Sequence, residues 1–434
     1  MGFFQSFLQL CEVLEDREQP AVPPPGFISK HHAQMLSAAK LRDLDILPYP
    51  DFDDFFRSVR HSGIDPAIIP LEAARGCWWR EKSHCTFCGL NGEAMRFRQK
   101  SPHRVVEETA YLAGRYQPQL LSFSDNILSR DYMKNVLPEW AADSKASRTP
   151  KFFEVKANMT RSEVVLLRQA GIVQIQPGIE SLVDSTLSII GKGVTGGQNI
   201  ALLRWCMEVG VEAHWNLLYG FPNEDLCSFA ATTDLIQKLS HLSPPQGCFP
   251  IRVDRFSPNY ERWQEHGFDS VTPVRGYTHV FPASAEEIAK MAYFFDYEHS
   301  QSATMSELAG PMRAFWEIWL QHHSAGRGGE FEVVNAGNHS CTVSDTRFNR
   351  LAAQWQLTPI ETSVLLTCDR PVNRRRLSMP QVEVLEGLLQ REIVVECCDR
   401  LIAAPLIPQA MRDQLEIPAS APSGEERLSF VQLR

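Results

Sequence analysis

The stretch Arg75-Gly76-Cys77-Trp78-Trp79-Arg80-Glu81-Lys82-Ser83-His84-Cys85-Thr86-Phe87-Cys88-Gly89 places three cysteines just after an apolar, strand-like run, Ile68-Ile69-Pro70-Leu71. Three thiolates are one ligand short of a closed iron–sulfur loop. A four-iron, four-sulfur cluster held by Cys77, Cys85 and Cys88 keeps one iron open, and an open iron can bind and activate a small molecule instead of only passing electrons. The same cysteines with His84 would also complete a tetrahedral structural zinc site. Against zinc, His84 and Cys85 are consecutive and would both have to turn inward, and no second half of a zinc ribbon follows. The 11 cysteines are an odd number without framework spacing, and no secretory leader precedes them, so reduced thiols in a cytoplasm are expected rather than disulfides.

Composition bounds the rest. At 434 residues and 44% hydrophobic content the chain can build one large domain and a smaller one. No window is long enough to span a membrane, so no membrane is expected. A net charge of -9 gives no global attraction to nucleic acid. The cysteine region is locally basic through Arg75, Arg80, Lys82, Arg96, Arg98, Lys100 and Arg104, a pattern that suits an anionic ligand or a solvated face.

Punctuation divides the chain. Residues 1–66 read as a lead-in: a short amphipathic helix at the N-terminus, the stiff linker Pro20-Ala21-Val22-Pro23-Pro24-Pro25, and an extended run from Leu47 to Asp53. Residues 67–300 alternate strand and helix. Ser101-Pro102 supplies an N-cap and first-turn proline before Val105–Tyr116; Leu120–Ser124 and Lys151–Val155 read as strands. Thr160 with Glu163 and Thr195 with Gln198 are capping boxes, Gly171 and Gly210 are helix stops, and Ile172–Ile175, Val211–Leu218 and Cys248–Val253 are further strands. Recurring strand and helix predict an α/β fold of parallel βαβ units, a full or partial barrel whose loops after the strands build the site. Residues 301–434 read as a small C-terminal α+β domain, winged-helix-like, with a capping box at Thr358 and Glu361 and a hairpin joining Ile393–Glu396 to Leu401–Ala403. Cys397-Cys398 falls in its turn, and the tail after Ser423 reads as mobile.

Cys85-Thr86-Phe87-Cys88 carries an aromatic just before its last cysteine, and with this pair the chain resembles the radical S-adenosylmethionine (SAM) superfamily. The usual loop of that superfamily is Cys-x3-Cys-x2-Cys on a partial (β/α)6 TIM-like barrel; here the first gap is seven residues, which flexible closure tolerates. Pro177-Gly178-Ile179-Glu180-Ser181, Ile190-Gly191-Lys192-Gly193 and Trp215-Asn216-Leu217-Leu218-Tyr219-Gly220-Phe221-Pro222 are similar to motifs of its cobalamin-associated and oxygen-independent coproporphyrinogen oxidase-like branches. The resemblance implies that SAM occupies the open iron. It further implies that Glu154 and Glu180 take the ribose hydroxyls, Lys192 pairs with the methionyl carboxylate, Phe87 lies against the adenine, and Ser124, Asp125 or Asn126 meets the methionyl amine, with Asn216 a further cofactor contact. Each has a plain structural counterpart, such as a strand-end salt bridge or packing.

The reaction implied is one-electron cleavage of SAM and abstraction of hydrogen from an unactivated carbon, with electrons from a donor such as flavodoxin or ferredoxin. The long cysteine gap, Cys88-Gly89-Leu90-Asn91-Gly92 and Arg255-Phe256-Ser257-Pro258 look like radical enzymes that mature ribosomally made peptides, some of them carbon methyltransferases. A precursor peptide is the expected substrate; a tetrapyrrole or lipid precursor is the alternative. From another class, a non-catalytic protein with a structural zinc or degenerate cluster stays open. Cobalamin is left open as well, because no Asp-x-His-x-x-Gly stands upstream and the first 66 residues are too few for a doubly wound cobalamin domain.

Overall fold

The computed structural model describes residues 7–11, 24, 27, 41–63, 68–90, 92 and 96–415. Most of the proline-rich linker, Asn91, and the tail after Ser423 lie outside the described residues. So does most of the N-terminal helix expectation, of which Phe7–Cys11 is helical.

Five parallel strands form the main sheet in the order β1-β2-β3-β4-β5: β1 Ile68–Leu71, β2 Leu120–Phe123, β3 Lys151–Val155, β4 Ile172–Pro177 and β5 Glu212–Ala213. A second parallel pair, β6 Asn216–Tyr219 and β7 Gly247–Pro250, joins it through a bridge between Glu180 and Leu217. Sequence periodicity predicts Val211–Leu218 as one strand, and the structure divides it. Glu212 and Ala213 pair with Gln174 and Ile175, after which the chain changes partner and Trp215 accepts from Gln246 N at 2.7 Å.

Helices cross over between the parallel strands as the caps dictate. α1 Pro102–Tyr116 begins at Ser101, whose Oγ accepts from Arg104 N at 3.2 Å. α2 Arg161–Gln169 and α3 Gly196–Val209 both carry complete capping boxes, and Gly210 ends the latter in the left-handed region at φ 72°. Alternation fixes the faces of β3: Lys151, Phe153 and Val155 are buried, whereas Phe152 and Glu154 are half-buried. Phe153 stacks on Phe123 with ring centroids 4.1 Å apart, and Trp140 lies beside them, so this face is the helix-covered core.

Beyond the parallel strands lies an antiparallel sheet of β8 Val253–Asp254, β10 Phe294–Glu298 and β9 Ser270–Pro273, in that order. Sequence reading missed this sheet. A 23-residue helix, α4 Ser302–Ser324, is then fastened back by Trp316 Nε1 to Pro245 O at 2.7 Å and Trp319 Nε1 to Leu242 O at 3.2 Å. The remainder holds two three-stranded antiparallel sheets. One is β11 Phe331–Gly337, β12 Ser340–Asp345 and β13 Ala353–Leu357; the other runs β14 Val372–Asn373, β16 Arg400–Ala403, β15 Val394–Cys397. Two helices, α5 Pro359–Thr367 and α6 Met379–Gln390, pack between them. One hydrophobic core runs continuously from Phe56 to Leu415, and a smaller one around Leu187, Ile190, Phe221 and Phe295 sits beneath Phe87.

Candidate active site

The cysteine loop emerges from β1 and is pinned at both ends. Asp125, fully buried after β2, accepts Ala73 N at 2.8 Å at the loop's entrance. Trp79 Nε1 and Ser83 Oγ both donate to Gly191 O, at 3.1 and 3.3 Å, and Thr86 N donates to Ile190 O at 3.1 Å. The Ile190-Gly191-Lys192-Gly193 turn is therefore the bed on which the loop lies. Gly193 is required there, since its φ is 59° and a Cβ would sit 2.3 Å from the Trp79 ring. At the loop's far end Asn259 N donates to Thr86 O at 2.8 Å, and a Cβ on Gly89 would come 2.0 Å from Arg255 O. His84 Nε2 is 2.8 Å from Cys88 O, so the imidazole is turned to the loop's own backbone.

Opposite the loop, side chains of the second face of β3 and β4 converge. Phe152, Gln174 and Glu212 stand in register across three strands, with Glu154 and Gln176 one level higher. Above them Lys156 Nζ lies 3.6 Å from the centroid of the Trp79 ring and donates to Lys192 O. Lys192 Nζ is 3.2 Å from Glu180 Oε1 and 5.6 Å from the Phe87 ring centroid. Glu180 is itself left-handed, φ 61°, a conformation costing about 1–2 kcal/mol for a residue with a Cβ. Its carbonyl accepts from Leu218 N at 2.8 Å, which holds the strained residue in place.

Electrostatics follow from this packing. Burial, reinforced by the charge of Glu180, pushes the Glu154 carboxyl up to about 7. Burial pulls the Lys156 ammonium down to about 8, with Lys192 adding repulsion. For Lys192 burial acts downward too, but Glu180 and the cysteines of the loop outweigh it and hold its ammonium above the ordinary value. Burial raises the Cys85 thiol against the pull of Lys192 and Lys156, and raises Cys88 to about 11.

Of the residues singled out in the sequence, Cys77, Cys85, Cys88, Phe87, Glu154, Glu180 and Lys192 are linked to one another by these contacts and couplings. Ser124 is exposed after β2, and its Oγ donates to Leu71 O at 2.9 Å. Asp125 faces Ala73, burial raising its carboxyl to about 7, so here it braces the loop. Asn126 is half-buried in the same turn, and Asn216 is half-buried at the start of β6. Lys156 was missed by sequence reading. Its signal was present: it continues the alternation of Phe152 and Glu154 one residue past the end of β3. The locally basic run resolves mostly into struts. Arg75 pairs with Glu72, Arg80 donates to Gly92 O, Arg98 to Leu41 O, Lys100 to Glu108 and Arg104 to Leu47 O.

Residues 71–236 match the Radical SAM superfamily. The chain carries a radical SAM domain. Over 212 residues it is 25% identical to an uncharacterized methyltransferase of Pyrococcus horikoshii, an alignment covering 46% of this chain and 43% of that protein. The alignment thus spans less than half of the curated relative. Among solved structures, the cobalamin-dependent SAM radical enzyme OxsB with aqua-cobalamin and SAM bound superposes with a TM-score of 0.54 at 12% identity, covering 94% of this chain and 61% of OxsB. The radical SAM methyltransferase TsrM of Kitasatospora setae, with tryptophan and a SAM analogue, gives a TM-score of 0.53 at 16% identity over 74% of this chain and 75% of TsrM. These structures share the α/β fold with its parallel sheet. The superfamily implies a 4Fe–4S cluster and SAM, and the radical SAM loop here fits both. Three free thiols lie in one coupled group beside two ammonium groups, and the carboxylates of Glu154 and Glu180 stand near by. Among the described residues no three His, Cys, Asp or Glu side chains converge on a single ion. A cluster asks for no such convergence, because each thiolate binds a different iron.

Proposed function

We propose that this chain is a radical SAM enzyme that cleaves SAM reductively and modifies a ribosomally made peptide at an unactivated carbon by methyl transfer. The observation that carries it is the convergence, beside the three-cysteine loop, of a lysine–carboxylate pair, Lys192 with Glu180, and a second carboxylate, Glu154. Cys77, Cys85 and Cys88 would hold the cluster; Lys192 would bind the methionyl carboxylate, Glu180 and Glu154 the ribose, and Phe87 the adenine. When bound, the cluster and SAM supply one-electron cleavage of a carbon–sulfur bond.

The protein's own part is positioning. Lys192 and Lys156 bring positive charge to the loop and favour the thiolate forms that ligation needs. Glu154, with its carboxyl near neutrality, can accept from or donate to a hydroxyl. The level below is polar, with Gln174 Nε2 donating to Glu212 Oε2 at 2.9 Å and His214 set between Gln246 and Phe152. A polar floor of this kind is better matched to a peptide, which can exchange hydrogen bonds with it, than to the apolar chain of a lipid precursor. Methyl transfer is favoured by the activity named for the Pyrococcus relative and TsrM.

In this reading residues 67–300 form a partial (β/α)6 barrel, the five-strand sheet continued by β6 and β7, and residues 301–434 a winged-helix-like unit. A flavodoxin or ferredoxin in a cytoplasm would supply electrons. Among the described residues no helix is long and apolar enough to cross a membrane. Cobalamin, bound in the OxsB structure, enters as a ligand to be tested by adding it to the reconstituted protein.

Anaerobic reconstitution with iron and sulfide tests the proposal. It requires a brown protein that forms 5'-deoxyadenosine with dithionite, and loss of that product in C88A. A colourless, zinc-loaded protein that forms none would return the site to a structural role. Methyl incorporation into a peptide, against none into a tetrapyrrole or lipid precursor, decides the substrate class.

A further inference from the structure

Lys156 has no role in the sequence motifs, yet it is the side chain that ties three parts of the site together. It leaves β3 on the same face as Glu154, crosses the Trp79 ring at 3.6 Å from its centroid, and donates to the carbonyl of Lys192. Trp79 belongs to the cysteine loop and Lys192 to the turn beneath it. The ammonium is half-buried, so water screens its charge poorly. It is coupled electrostatically to Cys77 and Cys85. Its neighbour Trp78 is arranged alike: the guanidinium of Arg130 lies 4.5 Å from that ring's centroid, and Trp78 Nε1 donates to Leu128 O at 3.0 Å. The two indoles meet edge to face at 88°. Each tryptophan of the loop thus has a cation over its ring, but only Lys156 couples to the cysteines and also grips the turn that carries Lys192.

We propose that Lys156 is a positioning residue that sets the reduction potential of the cluster held by the cysteine loop. The inference rests on the cluster reading above. A cluster with three thiolates gains negative charge on reduction, and a fixed cation near by favours the reduced form. Lys192 is not equivalent in this respect. Its charge is paired with Glu180 at 3.2 Å, whereas Lys156 is held by a ring and a carbonyl. The charge of Lys156 is therefore the one not committed to a carboxylate.

The distinguishing variants are K156Q and K156R. Glutamine retains a hydrogen-bond donor for Lys192 O and removes the charge; arginine retains both. With anaerobically reconstituted full-length protein, a redox titration followed by visible absorption and electron paramagnetic resonance should show the K156Q cluster harder to reduce. The ratio of reduced to oxidised cluster at a given potential should fall about tenfold, a displacement of ~59 mV to more negative values for a one-electron couple. K156R should stay within about twofold of wild type, since it restores the charge. A midpoint potential is an intensive quantity, so a variant that loads less iron still reports it from the loaded fraction. A K156Q midpoint equal to that of wild type overturns the inference, as does a K156R midpoint displaced as far as K156Q. Failure of the wild-type protein to assemble any cluster would instead sink the functional reading itself.

Discussion

Asp125 Oδ1 accepts the backbone N–H of Ala73 at 2.8 Å, so a side chain at the end of β2 fixes the entrance to the cysteine loop at the end of β1. Both groups are buried, and Asp125 Oδ2 has no hydrogen-bond partner. Removing the carboxyl in D125A strands Ala73 N–H away from water, at a cost of about 1–3 kcal/mol. Urea denaturation of the apoprotein should register that loss, and iron bound per chain after reconstitution should fall. The pH dependence is distinctive. Burial raises the folded carboxyl from 3.8 to about 7, so between these values the folded state keeps a proton that the unfolded state releases. Stability therefore declines as pH rises from about 4 to about 7 and is flat in this contribution above. D125N lacks the contribution, and its stability relative to wild type should improve across that window. A constant difference between the two proteins at pH 4.5 and pH 8 would refute the assignment.

Gly89 tests the other end of the loop. A Cβ there would stand 2.0 Å from Arg255 O, a backbone atom in the turn that directly follows β8. G89A should displace Cys88, lowering both iron stoichiometry and melting temperature. G114A is the control, because nothing lies within 4 Å of its new methyl group in the last turn of α1. That variant should be stabilised by up to about 1 kcal/mol. Equal iron content in G89A and wild type would contradict the close approach.

The Lys192–Glu180 contact is open to a double-mutant cycle. Both side chains are largely buried and 3.2 Å apart. E180Q and K192M should each destabilise the apoprotein, and the double variant should lose less than their sum, with a coupling of about 0.5–3 kcal/mol. Equilibrium binding of SAM to the cluster-loaded protein should weaken in both single variants. Strict additivity in denaturation would mean that the pair contributes nothing to the fold.

Much of this is legible in the sequence alone. Strand Lys151–Val155, the capping boxes at Thr160, Thr195 and Thr358, and the final hairpin were all written in local chemistry: β-branched and aromatic runs, hydroxyl caps with a Glu or Gln three residues on, and left-handed glycines. The cysteines and the Gly-Ile-Glu-Ser run single out a candidate site because their residue types are uncommon in that order. Two things were not legible. The exchange of partners at His214 and Trp215 depends on where β4 ends and on Glu180 taking a left-handed turn, neither of which leaves a period in the sequence. The sheet of β8, β9 and β10 is built from short pieces brought together from positions 253–298, where strand alternation is too brief to read.

The attachment of the C-terminal unit to α3 likewise follows from charges that a sequence cannot pair. Arg204 and Glu208, one turn apart on α3 and both fully buried, meet Arg412 and Asp369 from the C-terminal unit. Glu208 accepts from Arg161 at 3.2 Å, Arg412 at 2.8 Å and Ile407 N at 3.0 Å, while Arg204 also donates to Ala403 O at 2.8 Å. Such a network gives up solvation for each charge it encloses, so its members matter most when one is removed and the rest are left buried. E208A leaves three guanidinium groups facing one carboxylate, that of Asp369, and should cost about 3–5 kcal/mol. E208Q, which still accepts hydrogen bonds, should cost less. Guanidinium denaturation followed by the summed fluorescence of the nine tryptophans, Trp205 on α3 and Trp355 in the C-terminal unit among them, should show unfolding of α3 and loosening of the C-terminal unit as one transition. A melting curve of E208A superimposable on wild type would show that α3 and the C-terminal unit are held by apolar packing alone.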